Sequence, residues 1–112
     1  MDFLNKIEIN GVVGMVHRMK IADADILKFS VVTETPPVKD KDGNMAVEVF
    51  WCNCVAYDVH EHSDQWNISK GDFVKIEGRL RTVRYTDMSG NVNHSVEAVI
   101  SKLENLKKQS NL

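Results

Sequence analysis

No stretch of this sequence approaches the ~18 consecutive apolar residues that a membrane span requires, so no partner membrane is expected. The first ten residues, MDFLNKIEIN, lack the charged start and long apolar run of a secretory signal. That absence points to the cytoplasm. Cysteine is scarce, with Cys52 and Cys54 alone. Two cysteines build no disulfide framework, and a bridge across a single residue is strained, so free thiols in a reducing compartment are expected. Neither sign of charge dominates: 14 Lys and Arg stand against 16 Asp and Glu, a net of -2. Any anion site must therefore gather its cations on one face, because the molecule as a whole supplies no attractive field. Internal repeats and low-complexity segments are absent. So are a phosphate loop, a nucleophile elbow and an H-E-x-x-H helix. His62-Ser63 and His94-Ser95 are adjacent, but adjacency in sequence is not a catalytic geometry. No enzyme activity, cofactor or small-molecule substrate is expected.

What is present suits one globular domain. The chain has 112 residues, 43% hydrophobic and 27% charged, close to the average for a soluble domain. Its dominant period is two, the signature of strands. Residues 6–16 alternate at Ile7 and Ile9 and are then interrupted by Gly11 and Gly14, which suggests a bent strand serving two sides of a small barrel. A second strand over 25–35 places Leu27, Phe29 and Val31 on one face, and Pro36-Pro37 stops it. Residues 36–46 are polar and read as a long loop. A third strand covers about 47–57, rich in valine and aromatics. The segment 58–69 offers a short helix, with Val59, Trp66 and Ile68 able to cap a barrel end. A fourth strand begins at Phe73, with Val74, Ile76 and Leu80 facing one way and Phe73, Lys75, Glu77, Arg79 and Arg81 the other. It continues through Tyr85 to a turn at Asp87–Asn91, and a last strand follows at about 94–100. Five strands, a kinked first one and a short helix after the third describe an all-β OB-fold, a five-stranded Greek-key barrel. The expected domain is 1–106, followed by a short polar tail, 107–112.

Alternation along the third strand separates Trp51, Asn53, Val55 and Tyr57 from Cys52, Cys54 and Ala56. The small apolar set is the natural core, which leaves Trp51 and Tyr57 outside. The fourth strand adds Lys75, Arg79, Arg81 and Tyr85. Aromatics interleaved with cations suit single-stranded nucleic acid: bases stack on rings at about 1–3 kcal/mol each, whatever their identity, and cations hold phosphates. The same aromatics could instead fill a core or an oligomer interface. Lys6 and Arg84 complete the cation set, and either Arg79 or Arg81 could be spent on Glu77 or Glu97 across the sheet. Cys52-x-Cys54 followed by His60-x-His62 contains four zinc-type ligands, but both spacings are tighter than those of common zinc sites. Buried thiols and solvent histidines are expected there, and no metal.

One stretch carries a more specific signal. Residues 70–90, KGDFVKIEGRLRTVRYTDMSG, resemble the bacterial single-stranded-DNA-binding protein (SSB) family, in which a K-G turn leads into a V-x-[IV]-x-G-x-[LI]-R-T strand, an aromatic, T-D and an S-G hairpin turn. Asn5-Lys6-Ile7-Glu8-Ile9-Asn10-Gly11 resembles the family's opening. Trp51, Tyr57 and Tyr85 fall where the family has aromatics, and the resemblance spans roughly residues 5–103. It implies an OB barrel that binds and protects single-stranded DNA in replication, recombination or repair, as a homo-oligomer, dimer or tetramer, in the nucleoid-bearing cytoplasm. The chain departs from the family at Thr35-Pro36-Pro37, where a tryptophan is usual, and at Met15-Val16-His17. It also resembles a short form, with Lys107-Lys108 where the family has a linker and an acidic tail. Two rivals share the scaffold: a PriB-like primosomal replication adaptor, and an OB-fold protein-interaction module without DNA affinity.

Overall fold

The computed structural model describes residues 1–59 and 64–106. Its period-two segments form β1 (Ile7–Ile21), β2 (Ala24–Glu34), β3 (Val38–Lys39), β4 (Met45–Ala46), β5 (Val49–Tyr57), β6 (Phe73–Thr86) and β7 (Val92–Asn105). Five of these close a barrel in the order β1-β2-β5-β7-β6. Among the described residues, β5 and β7 are the one pair that runs parallel. This is the expected five-stranded OB-fold barrel. The segment read as a long loop holds a small ribbon of its own, in which Val38 and Lys39 pair with Ala46 and Met45.

The core follows from alternation. Leu27, Phe29 and Val31 of β2 point inward with Cys52, Cys54 and Ala56 of β5, Val74 and Ile76 of β6, and Ala98, Ile100 and Leu103 of β7. Burying one large side chain such as Phe29 stabilises the fold by about 1.5–3 kcal/mol. Val59 and Ile68 join this cluster and Trp66 packs against it, so the segment after β5 does close one end of the barrel. Among the described residues the helix expected there is a single 3-10 turn, Asp64–Trp66. Residues 60–63 lie outside the described residues.

β1 works as a bent strand. Ile7–Val12 pair with β6, Val12–Ile21 pair with β2, and the register shifts between Val13 and Met15. At Gly11 a Cβ would stand 2.3 Å from the Val32 carbonyl oxygen, so the two backbones approach too closely for any side chain. β1 also runs past the expected end, because 17–21 fold back on β2 as a hairpin. Its two-residue turn puts Ala22 and Asp23 at φ 48° and 67°, the left-handed pair that matches the twist of a tight hairpin.

Two further departures have local causes. Leu80 keeps the inward phase of Val74 and Ile76 but is exposed. The β1–β6 pairing ends at Gly78 and the β5–β7 pairing at Ala98, opposite Leu80, and beyond this point β6 and β7 leave the barrel as a two-stranded arm. Asn5 clamps the departure point, its Nδ2 donating to the Leu80 carbonyl at 2.7 Å and its Oδ1 accepting from the Leu80 N–H at 2.9 Å. The last strand runs on to Asn105 because the register steps from Glu77–Lys102 to Gly78–Ile100. Ser101 is left unmatched, and this bulge turns both Ile100 and Leu103 inward.

Candidate nucleic-acid interface

β5 presents Trp51, Asn53, Val55 and Tyr57 on the outer wall of the barrel. Trp51 is 62% exposed. Opposite it on β2 lies Val32, and its ring reaches across to β1 at Gly14. A Cβ on Gly14 would stand 3.0 Å from Trp51 Cζ3 and 2.9 Å from Ser30 Oγ. Glycine at the β1 bulge therefore makes the seat for this ring, with Ser30 buried beside it. An indole held at its edge and open over most of its surface is a platform on which a base can stack.

Tyr57 lies at the other end of β5. Its hydroxyl accepts from Arg81 Nη2 at 2.5 Å, and the Arg81 Cζ stands 5.4 Å from the ring centroid. Arg81 also donates from Nε and Nη2 to Glu97 Oε1, at 3.1 and 2.6 Å. First the Glu97 carboxylate and then the Tyr57 hydroxyl push the Arg81 pKa up from its already high value. Val55 belongs to the outward set but is fully buried. It sits between Lys28 of β2 and Val99 of β7 in register, on the wall that the Tyr57–Arg81 contact spans.

The arm carries the third aromatic. Tyr85 is exposed and opposite Asn93. Alternation puts Arg79, Arg81 and Tyr85 on one face of β6, and Arg84, opposite His94, on the other. Arg79 and Arg84 form no ion pair among the described residues. The turn at the tip is organised by Asp87, whose Oδ1 accepts from the Ser89 and Asn91 N–H groups at 3.0 and 2.9 Å, while its Oδ2 accepts from Asn93 Nδ2 at 3.0 Å.

Lys6 and Lys75 are placed elsewhere. Lys75 Nζ stands 3.1 Å from Glu8. Lys6 Nζ and Lys102 Nζ stand 4.0 and 3.9 Å from Glu77. The Lys75 ammonium holds the Glu8 carboxyl below its usual range. This mixed-charge network lies on the stretch of β6 that pairs with β1, Phe73–Gly78, whereas Arg79 and Arg81 follow it on the stretch opposite Val99 and Glu97 of β7. The structure thus brings Trp51, Tyr57, Arg79 and Arg81 to one wall, carries Tyr85 and Arg84 out on the arm, and leaves Lys6 and Lys75 beside β1, paired with Glu77 and Glu8. No cluster of three or more His, Cys, Asp or Glu with metal-binding geometry occurs among the described residues. Cys52 and Cys54 are buried, their sulfurs 3.8 Å apart, and the contact with Cys52 together with burial pushes the Cys54 thiol pKa up. His60 and His62 lie outside the described residues.

The sequence profile of the single-strand binding protein family matches residues 4–106. The chain belongs to that family. No curated protein sequence is significantly similar. Among solved structures, the barrel is similar to the Plasmodium falciparum SSB in complex with ssDNA, at 20% identity and a TM-score of 0.75, covering 93% of this chain and 94% of that one. It is also similar to a deletion mutant of the single-stranded DNA binding protein from Thermus aquaticus, at 13% identity and a TM-score of 0.75, covering 91% of this chain and 50% of that one.

For a member of this family the wall holds more than the sequence reading picked out. His17 pairs in register with Lys28, Lys28 with Val55, Val55 with Val99, and Val99 with Arg79. This row crosses all five barrel strands and carries cationic groups at Lys28 and Arg79. Lys28 was legible in principle: once Leu27, Phe29 and Val31 are assigned to the core, period two sends Lys28 outward. Between the row and Trp51 lies a cleft of about 160 Å³ lined in part by Met15, Lys28, Asn53, Ser95 and Glu97. Thr35, at the position lacking the family's usual tryptophan, ties the neck of the β3–β4 segment, its N–H donating to the Glu48 carbonyl at 2.9 Å.

Proposed function

We propose that this single-strand binding protein coats single-stranded DNA without regard to base sequence, by stacking bases on Trp51, Tyr57 and Tyr85 and holding phosphates with Arg79 and Lys28. The observation that carries the reading is the seat of Trp51, a large aromatic kept exposed on the barrel wall by a glycine that leaves room for its edge. Lys6, Lys75 and Arg84 belong to this reading as outlying cations, meeting a strand only where it leaves that wall. Net charge is -2, so attraction must come from such a local set. One barrel offers few platforms, and useful affinity calls for several linked surfaces. The same reading therefore includes a homo-oligomer, dimer or tetramer, serving replication, recombination or repair in the nucleoid-bearing cytoplasm. It assigns the protein no catalytic step.

The test is fluorescence anisotropy of labelled oligo(dT) at two salt concentrations, with duplex DNA of equal length as the control. The expected result is tight, salt-weakened binding to oligo(dT) and much weaker binding to duplex. Absence of binding to oligo(dT) at low salt would favour the protein-interaction module. Light scattering is expected to return a mass that is a multiple of 12.7 kDa, and a monomer would count against the linked-surface part of the reading.

A further inference from the structure

Arg81 has the composition and position of a phosphate ligand, but its geometry assigns it other work. Both Nε and Nη2 donate to one oxygen of Glu97. The Arg81 side chain is 34% exposed and that of Glu97 only 14%. A carboxylate on this wall would repel a polyanion, and the guanidinium cancels it, so the pair presents no net charge to release counterions. The other Nη2 hydrogen is directed at Tyr57, through the bond to its hydroxyl, and the cation stands over the Tyr57 ring. Tyr57 sits at the end of β5, β7 lies between β5 and β6, and the contact spans that strand. An exposed tyrosine with nothing on its hydroxyl samples several orientations. A tyrosine tied to a guanidinium that is itself anchored twice on a carboxylate does not, and a platform ordered in advance costs less to order on binding.

We propose that Arg81 is a positioning residue that fixes the Tyr57 ring for base stacking, anchored by Glu97, and that it does not contact phosphate. This deepens the single-stranded DNA reading and rests on it. Two kinds of readout separate positioning from phosphate binding. A phosphate contact contributes about -0.7 to the slope of log K against log salt on a single strand, whereas a positioning residue contributes none. A phosphate contact also tolerates lysine as a point charge, whereas reaching Glu97 and Tyr57 together needs the planar fork of arginine.

The experiment measures oligo(dT) affinity across a salt series for the parent, Tyr57→Ala, Arg81→Lys, and Arg81→Met combined with Glu97→Gln. The last variant removes both charges together, so no carboxylate is left half-buried and unpaired. The Arg81 variants are expected to bind about two- to twelvefold more weakly than the parent, the range for ordering one side chain, with the parent's salt slope. Adding Tyr57→Ala to them is expected to give no greater loss than Tyr57→Ala alone. A slope flattened by about 0.7, full rescue by lysine, or losses that multiply would overturn the proposal while leaving the DNA reading intact. A parent that fails to bind oligo(dT) would sink that reading, and this one with it.

Discussion

Filling the seat under Trp51 should separate stability from binding. In Gly14→Ala the new Cβ would stand 3.0 Å from Trp51 Cζ3 and 2.9 Å from Ser30 Oγ. Carbon atoms at rest are about 3.5–4.0 Å apart, so the ring must retreat by a few tenths of an ångström. Ser30 is buried and Trp51 mostly exposed, so the indole moves the further, while the Ser30 hydroxyl must turn aside in place. Gly14→Val adds two methyl groups and drives the indole further. The Ser30 hydroxyl costs about 0.5–1.5 kcal/mol if it is pushed off its rotamer, and this is offset because valine suits a strand better than glycine by up to about 1 kcal/mol. The cost to binding is part or all of one base platform, about 1–3 kcal/mol. Thermal unfolding of Gly14→Val should therefore stay close to the parent while oligo(dT) anisotropy shows a loss of about five- to 150-fold, the same energy as a ratio. Against a Trp51→Ala background the valine should cost almost nothing more. The reasoning fails if Gly14→Val binds as tightly as the parent, or if its loss persists undiminished once Trp51 is gone.

Charge on the two stretches of β6 should behave differently. Arg79→Ala is expected to flatten the salt slope by about 0.7, whereas Lys75→Ala, whose ammonium is paired with Glu8, should leave it nearly unchanged; a salt titration of both variants checks this. Asp87 is held below its ordinary pKa by bonds from Asn93, Asn91 and Ser89. A lowered folded pKa gives order that is complete above the unfolded value of about 3.9 and is lost as pH falls through the folded one. The amide signals of Ser89 and Asn91 should thus titrate in acid with a midpoint below that of a free aspartate, and Asp87→Asn should abolish the step. Ala22 occupies the left-handed region at φ 48°, where asparagine is better tolerated. Ala22→Asn should raise stability to denaturant by about 0.5–1 kcal/mol without touching DNA affinity.

Much of the barrel was legible because the inner faces of β2 and β5 obey period two without interruption. Leu27, Phe29 and Val31, and Cys52, Cys54 and Ala56, all lie where alternation puts them. The misplaced strand ends trace to residues that break the period. Ser101 is a bulge, so the spacing from Ile100 to Leu103 hides five more residues of strand. His17–Lys20 show no apolar alternation, because they belong to a hairpin that projects beyond the core. Trp51, Tyr57, Arg79 and Arg81 share a wall because their strands neighbour one another or flank β7. Lys75 entered the candidate set because alternation puts it on one face with Arg79 and Arg81, and Lys6 was added to complete the cations. Alternation does not say where along β6 the pairing with β1 ends, nor that Glu8 and Glu77 stand beside these lysines. The Arg81–Glu97 pair was one of the alternatives open in the sequence, but only the register of β6 on β7 chooses it. The cradle of Gly14 beneath Trp51 lay beyond the sequence, since thirty-odd residues and a bulge separate the two.

The central claim is that single-stranded DNA lies on the Trp51 wall. The chain has two tryptophans, and Trp66 packs against the core at the end of the barrel. Trp66→Phe leaves Trp51 as the sole indole, and Trp51→Ala leaves Trp66. Titration of both variants with oligo(dT), read by tryptophan emission, tests the claim most directly. Saturable quenching in the Trp66→Phe chain with little change in the Trp51→Ala chain is the predicted result. Quenching that follows Trp66, or an emission from Trp51 that ignores bound DNA, would contradict it.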